Sequence, residues 1–241
     1  MREIVLDTET TGFEPDQGDR IVEIGALEIV NLRPTGQTFH VYINPERGMP
    51  DGAFGVHGIG PDLLAEPRPA RDGEVTLRDK PVFAQVGQKF LNFVGDAKLV
   101  IHNAAFDMKF LNFELGRMGL PQLEWPRAVD TLAIARKKFP GSPASLDALC
   151  RRFGIDNSSR SLHGALLDSE ILAEVYLELM GGAQPDFALS SEPINAGGTV
   201  QRAPLPKRPK PLPARLTDAE AAAHAAFVAA LGDEAVWKNY G

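Results

Sequence analysis

Two acids stand near the start of the chain, Asp7 and Glu9 in Asp7-Thr8-Glu9-Thr10-Thr11-Gly12, directly after the apolar run Ile4-Val5-Leu6. Residues two apart on a strand project from one face, so if the strand persists both carboxylates share one small space. Like charges that close raise a pKa unless a divalent cation bridges them, and magnesium prefers such oxygen ligands. A solvated turn also accommodates an isolated Asp-x-Glu, so the pair alone decides nothing. Two further aspartates pose a sharper problem. Asp107, in His102-Asn103-Ala104-Ala105-Phe106-Asp107, shares a helix face with Phe110 and Leu111, and Asp168 is followed at helical spacing by Ile171, Leu172, Val175 and Leu179. Burying either without a partner costs several kcal/mol, so each needs a counter-charge or a cation. A salt bridge or helix cap accounts for either aspartate singly and less readily for both. His163 precedes Asp168 by five residues, about 140° around a helix, so the two serve one site only if His163 lies before the regular helix. Gly164 permits an irregular first turn there, from which an imidazole could take a proton from water near neutral pH.

The elements that must hold these groups are legible from periodicity. Ile4-Val5-Leu6, Ile21 to Val30 and Phe39 to Ile43 read as strands, the last two joined by the turn-forming stretch Asn31 to Gly36. A glycine-rich loop around Phe54 to Gly60 follows, then a polar, proline-containing excursion from Glu66 to Lys80. Helical spacing starts at Pro81, Leu99-Val100-Ile101 is a fourth strand, and Asn103 is placed to cap a helix carrying Phe106, Phe110 and Leu115. Further helices are predicted at Thr131 to Phe139, Leu146 to Phe153 and Gly164 to Met180. Strands first, then strand and helix alternating, indicate an α/β layer fold with a mixed sheet.

Composition limits what such a chain can be. Of 241 residues 44% are apolar and 24% charged, enough buried surface to repay the entropy of ordering most of the chain. No run approaches the roughly 20 apolar residues that cross a bilayer and no secretory segment opens the chain, so the expectation is a cytoplasmic protein without membrane contact. Its one cysteine, Cys150, removes any disulfide framework and reads as a small core residue. The net charge of −7 lies wholly within residues 1 to 180, which carry 19 basic against 26 acidic side chains. That balance excludes a broad basic field for holding nucleic acid; an enzyme acting on nucleic acid would need bound cations or a partner to grip the strand. After Met180 the texture changes to glycine and proline, dense between Pro204 and Pro213, before a helix start at Thr217-Asp218-Ala219-Glu220. The expected organisation is a domain over 1–180, a flexible linker over 181–215 and a short helical segment over 216–241 that folds against another protein.

Taken together, Asp7-Thr8-Glu9, Asp107 after His102-Asn103-Ala104-Ala105-Phe106, and His163-Gly164-Ala165-Leu166-Leu167-Asp168 resemble the three exonuclease motifs of the DEDDh family. Phe54-Gly55-Val56-His57-Gly58-Ile59 and Ser145-Leu146-Asp147-Ala148-Leu149-Cys150 add a likeness to its proofreading branch, the epsilon subunits of bacterial DNA polymerase III. The resemblance covers residues 1 to 180. It implies a ribonuclease-H-like fold with a mixed five-stranded sheet flanked by helices, and a 3′-to-5′ exonuclease acting on the single-stranded 3′ end of primer DNA. By the family's pattern Asp7 would bridge two magnesium or manganese ions, Glu9 and Asp168 would complete the first site, Asp107 would support the second, and His163 would be the general base. Thr8, Thr10, His57, Asn103 and Phe106 would hold the terminal nucleotide, although each also has an ordinary structural reading. Gln184-Pro185-Asp186-Phe187-Ala188-Leu189 is similar to sliding-clamp peptides, with Gln184, Phe187 and Leu189 as contacts, and the terminal segment is placed like the tail that docks on the alpha, polymerizing subunit.

Two other functions fit parts of this pattern. A free-standing DEDDh nuclease trimming RNA or small oligonucleotides would have no need of the linker and tail. A non-catalytic adaptor joining clamp and polymerase would have no physical reason to keep four acids and a histidine in these settings.

Overall fold

The computed structural model describes residues 1–158, 162–182 and 216–231. The chain divides into two compact units, Met1–Phe187 and Ala188–Gly241. In the first, five strands, β1 (Arg2–Thr10), β2 (Ile21–Val30), β3 (Arg33–Tyr42), β4 (Lys98–Ile101) and β5 (Ala128–Asp130), form one sheet in the order β3-β2-β1-β4-β5. β2 runs antiparallel to β1 and β3, whereas β1, β4 and β5 are parallel. The sheet is therefore mixed, as expected. Among the described residues six helices accompany it: α1 (Asp51–His57), α2 (Phe83–Val94), α3 (Ala104–Arg117), α4 (Thr131–Lys138), α5 (Leu146–Phe153) and α6 (Ala165–Leu179).

Side-chain alternation on β1 shows how the layers form. Ile4 and Leu6 point to a core with Ile24, Phe90, Leu99 and Phe110, under α2 and α3. Val5 points the other way, to Leu27, Val100, Leu149, Ile171, Leu172 and Val175, under α5 and α6. Each face buries a large apolar surface, the dominant favourable contribution to folding. Cys150 lies in this second core, fully buried.

Four local expectations change. The turn expected over Asn31 to Gly36 contracts to Asn31-Leu32, both with positive φ (51° and 64°), the geometry of a two-residue hairpin whose twist matches its strands. β3 accordingly begins at Arg33, and Pro34 is tolerated because β3 is the sheet edge. The expected glycine-rich loop at Phe54 to Gly60 is mostly α1, which ends at the left-handed Gly58. Asn103 occupies the N-cap position of α3 but its side chain does not cap. The chain turns there through a left-handed residue (φ 66°), which asparagine tolerates, and the Asn103 amide donates instead to Asp130 Oδ1 at 3.2 Å. β5 is three residues long, too short to announce itself by alternation.

The polar stretch from Glu66 to Lys80 is exposed over most of its length but anchored near its end. Leu77 is fully buried with Val22, Met49 and Ile59, and the Asp62 carboxylate accepts from the amides of Leu77 (3.0 Å) and Arg78 (2.9 Å). In the second unit α7 (Asp218–Ala230) starts with the expected capping box: Thr217 Oγ1 accepts from the Glu220 amide and Glu220 Oε2 accepts from the Thr217 amide. No helix among the described residues is long and apolar enough to cross a membrane.

Candidate active site

β1 and β4 are parallel, and the helices that follow β4 and β5 leave towards the carboxyl ends of these strands. A crevice opens there, where ligands of open α/β sheets bind. Asp7 and Glu9 share the Val5 side of β1, facing the layer that contains α6, and Thr8 points to the opposite side, facing α3. From above one face α6 contributes Asp168; from the other, α3 contributes Asp107, whose Oδ1 accepts a 2.7 Å hydrogen bond from Thr8 Oγ1. The four acids thus converge at one strand end from both layers. Asp7, Thr8, Glu9, Asn103, Phe106, Asp107, His163 and Asp168 line a single cleft of about 570 Å³.

His163 lies before α6, as the angular argument requires. Gly164 is the N-cap, the His163 amide donates to Val56 O on α1 (3.2 Å), and the imidazole Nδ1 lies 3.3 Å from Asp168 Oδ2. The ring is about half exposed and the carboxylate nearly buried. Glu9, His163 and Asp168 each place a ligand atom within 4.8 Å of the others.

The charges at this point are unbalanced. Asp7 is held well above the usual carboxylate pKa, first by loss of solvent and then by Asp107, Glu9, Asp168 and Glu23. Burial likewise pushes Asp107 up to about 7, against the hydrogen bond from Thr8 that lowers it. The charges acting most strongly on Asp7 are all carboxylates. An oxygen-rich donor set with excess negative charge and a neighbouring imidazole fits hard divalent cations, which relieve that repulsion, and fits no soft metal.

Gly25 and Glu23 on β2 set where α6 begins. Gly25 lies against the α6 backbone so closely that an added Cβ would stand 2.1 Å from Leu166 N and 2.4 Å from Ala165 O. Buried Glu23 accepts from the Ala165 amide (3.0 Å) through one oxygen and meets His40 Nε2 (2.7 Å) through the other. A carboxylate at a helix N-terminus is stabilised by the free amides there. Asp168, one turn further on, therefore inherits its position from β2.

The remaining predicted residues divide. Phe106 borders both the cleft and an adjoining apolar hollow of about 340 Å³ lined by Thr10, Phe13, Ala53, Val56 and His57. Thr10 and His57 line that hollow and not the cleft. His57 is buried and neutral: its pKa is lowered by burial, Nδ1 accepts from the Ile59 amide (3.0 Å) and Nε2 donates to Thr10 O (3.3 Å). Gln184, Phe187 and Leu189 lie outside the described residues. Three further lining residues are not marked as site residues by the motifs. Phe13 is 78% exposed with its ring edge-on to Phe106 at 6.3 Å, His102 Nδ1 meets Thr131 Oγ1 at 2.9 Å, and Arg136 enters the cleft from α4. Phe13 directly follows the acid-bearing segment, which is a faint signal; nothing in the sequence distinguishes Arg136 from its neighbours Lys137 and Lys138.

A five-stranded mixed sheet with four acids and a histidine at one strand end defines a class of phosphodiester hydrolase. The chain belongs to the exonuclease family, whose model, described as Exonuclease, it matches over residues 4–176. It is 52% identical over 197 residues to the DNA polymerase III subunit epsilon of Rickettsia felis, covering 80% of each chain. To the same subunit of Escherichia coli it is 44% identical over 250 residues, covering 98% of this chain and 97% of the relative. Among solved structures it is similar to exonuclease X in complex with 5′ overhanging duplex DNA, with a TM-score of 0.52 and 26% identity over 73% of this chain and 90% of that one. Exonuclease I shares the fold at a TM-score of 0.60 and 19% identity, over 74% of this chain and 40% of that one. Membership of this family implies use of a divalent metal.

Proposed function

We propose that this chain is the 3′-to-5′ proofreading exonuclease subunit of a bacterial replicative DNA polymerase. The observation that carries the reading is the convergence of Asp7, Glu9, Asp107 and Asp168 from β1, α3 and α6 beside His163. Two magnesium or manganese ions, held by Asp7 with Glu9 and Asp168 and by Asp7 with Asp107, would supply Lewis acidity to the attacking water and the scissile phosphate. The chain's own residues do the rest. Asp168 orients the imidazole through Nδ1, and Nε2 takes a proton from the water, the task of a general base. Thr8 holds the Asp107 carboxylate in one orientation by its hydrogen bond. Phe106, with the hollow behind it lined by Thr10 and His57, receives the terminal base by stacking, which tolerates any base, and Asn103 borders the sugar and phosphate.

Tethering explains how an acidic nuclease works on DNA: the 181–215 linker raises its concentration at the primer end in place of intrinsic affinity. In this reading 1–180 is the nuclease domain, Gln184, Phe187 and Leu189 contact the clamp, and 216–241 docks on the alpha subunit. The capped α7, which exposes Phe227 and Leu231, suits a docking segment. Truncation after Met180 is expected to preserve hydrolysis and abolish copurification with the alpha subunit; a truncated protein that still copurifies would move the contact onto the nuclease domain.

The decisive assay compares DNA primers with matched and mismatched ends and an RNA-terminated primer. Magnesium-dependent release of mononucleotides, fastest from the mismatched DNA end, is expected, with His163→Ala lowering kcat about a thousandfold, within the usual contribution of a general base. Preference for the RNA end would favour a free-standing RNA nuclease, and inactivity of the folded protein an adaptor.

A further inference from the structure

The cleft has two extensions of opposite chemistry. Through Glu9 and Phe106 it adjoins the apolar hollow described above. Past Asp147 and His163 it adjoins a second hollow of about 540 Å³, walled also by Arg151 and Asn157, and Arg151 in turn borders a third, of about 450 Å³, with Arg152. Arg151 is thus the wall common to the two outer hollows, and Asp147 and His163 the wall common to the cleft and the first of them.

The flank that carries this track differs in charge from the rest of the chain. Between Thr131 and Phe153, covering α4 and α5, stand Arg136, Lys137, Lys138, Arg151 and Arg152 against one acid, Asp147, whereas the whole chain has 25 basic and 32 acidic residues. Two of these cations are engaged: Lys138 Nζ donates to Leu179 O at 3.0 Å, and the Arg152 guanidinium lies 4.3 Å from the centre of the Phe139 ring. Arg136 and Arg151 are exposed and enter no hydrogen bond or ion pair among the described residues. Asp147, the acid in their midst, accepts from Asn157 Nδ2 at 3.0 Å. Asp147 and Arg151 are four residues apart on α5, so they share a face one turn apart, about 6 Å along the axis.

We propose that the DNA strand upstream of the scissile phosphate leaves the cleft along this α4–α5 flank, with Arg136 and Arg151 gripping backbone phosphates. The proposal rests on the nuclease reading above. A strand end is amphiphilic, and the two extensions match its two parts: the base enters the apolar hollow and the charged backbone follows the cations. An arginine inside the acid cluster would neutralise the carboxylates that hold metal. Placed on the walls beside the cluster, it contributes phosphate affinity without entering it. Guanidinium groups suit the task because they bind phosphate through two parallel hydrogen bonds, and phosphate contacts carry no sequence preference.

The test uses the full chain with magnesium and compares a deoxythymidine dinucleotide with the octanucleotide. In the wild type the octanucleotide should have the lower KM. Arg136→Glu with Arg151→Glu should erase about tenfold of that advantage and flatten the slope of log KM against log salt by about 1.4, the value for two lost contacts on a single strand. Lysine at both positions should restore most of it. An unchanged ratio between the two substrates, or an equal loss on both, would overturn the path. A wild type that hydrolyses neither would instead overturn the nuclease reading on which the path depends.

Discussion

Asp7→Asn is expected to abolish hydrolysis while making the metal-free protein more stable. The substitution keeps the shape of the side chain and removes one charge from a group that burial and four neighbouring carboxylates hold well above its ordinary pKa. Without that charge the repulsion within the cluster falls, and the melting temperature without metal should rise by about 3 °C or more. Activity should drop at least about a thousandfold, the equivalent of about 4 kcal/mol in the barrier, because Asp7 would hold the divalent cations in the proposed mechanism and an amide is a weak ligand for them. The same charges set a pH dependence. A carboxyl whose pKa is higher in the fold than in the unfolded chain binds its proton preferentially in the fold. Stability of the metal-free wild type therefore falls as pH rises from about 4, the unfolded value, towards 7, the region to which Asp107 is pushed. Divalent cation should raise the melting temperature more at pH 8 than at pH 5, and Asp7→Asn should lose most of that gain. Thermal melts with magnesium and with chelator at both pH values decide the matter; a variant less stable than wild type in chelator would show that Asp7 is structural.

Gly25→Ala should cost about 4 kcal/mol or more, lowering the melting temperature by about 10 °C in a unit of this size. The added methyl would stand 2.1 Å from Leu166 N and 2.2 Å from the carbonyl carbon of Ala165, both backbone atoms that no rotamer change can move. The hydroxyl of Ser169, 2.9 Å from Gly25 O and 2.7 Å from Ala165 O, sits at the same seam. Relief requires α6 to lift away from β2, which opens the core of Val175, Leu172 and Val5 and carries Asp168 away from Asp7. Whatever fraction remains folded should have a reduced kcat, so loss of stability and loss of activity travel together here, opposite to Asp7→Asn. A variant melting within about 2 °C of the wild type would show that α6 is not seated on Gly25.

These two residues mark the difference between what could be read along the chain and what could not. Asp7 was a candidate from its type and its spacing to Glu9. Gly25 was invisible, a glycine in a strand-like run, because its importance lies in a helix that begins 140 residues later. Likewise His163 could be placed before its helix by angular arithmetic, while its tether to Val56 and its distance to Asp168 could not. Residue type points to Asn103 as a cap, yet the path from β4 into α3 demands a left-handed turn, and Asp130, far along the chain, takes up its backbone amide.

The sequence by itself determined the chemical cast: four acids and a histidine in motif settings, the apolar periods of each long helix and strand, and the change of texture after Met180. Those are local properties, written in residue type and in spacing over one or two turns. Only the tertiary structure decided that Thr8 meets Asp107 across 99 positions, that Asp168 stands over the same strand end as Asp7, and that Arg136 and Arg151 flank the cleft rather than the opposite side. The reason is physical. Distances between elements follow from strand register and from which faces bury together, and both are set by the cooperative packing of two cores against one sheet, a balance no single segment contains.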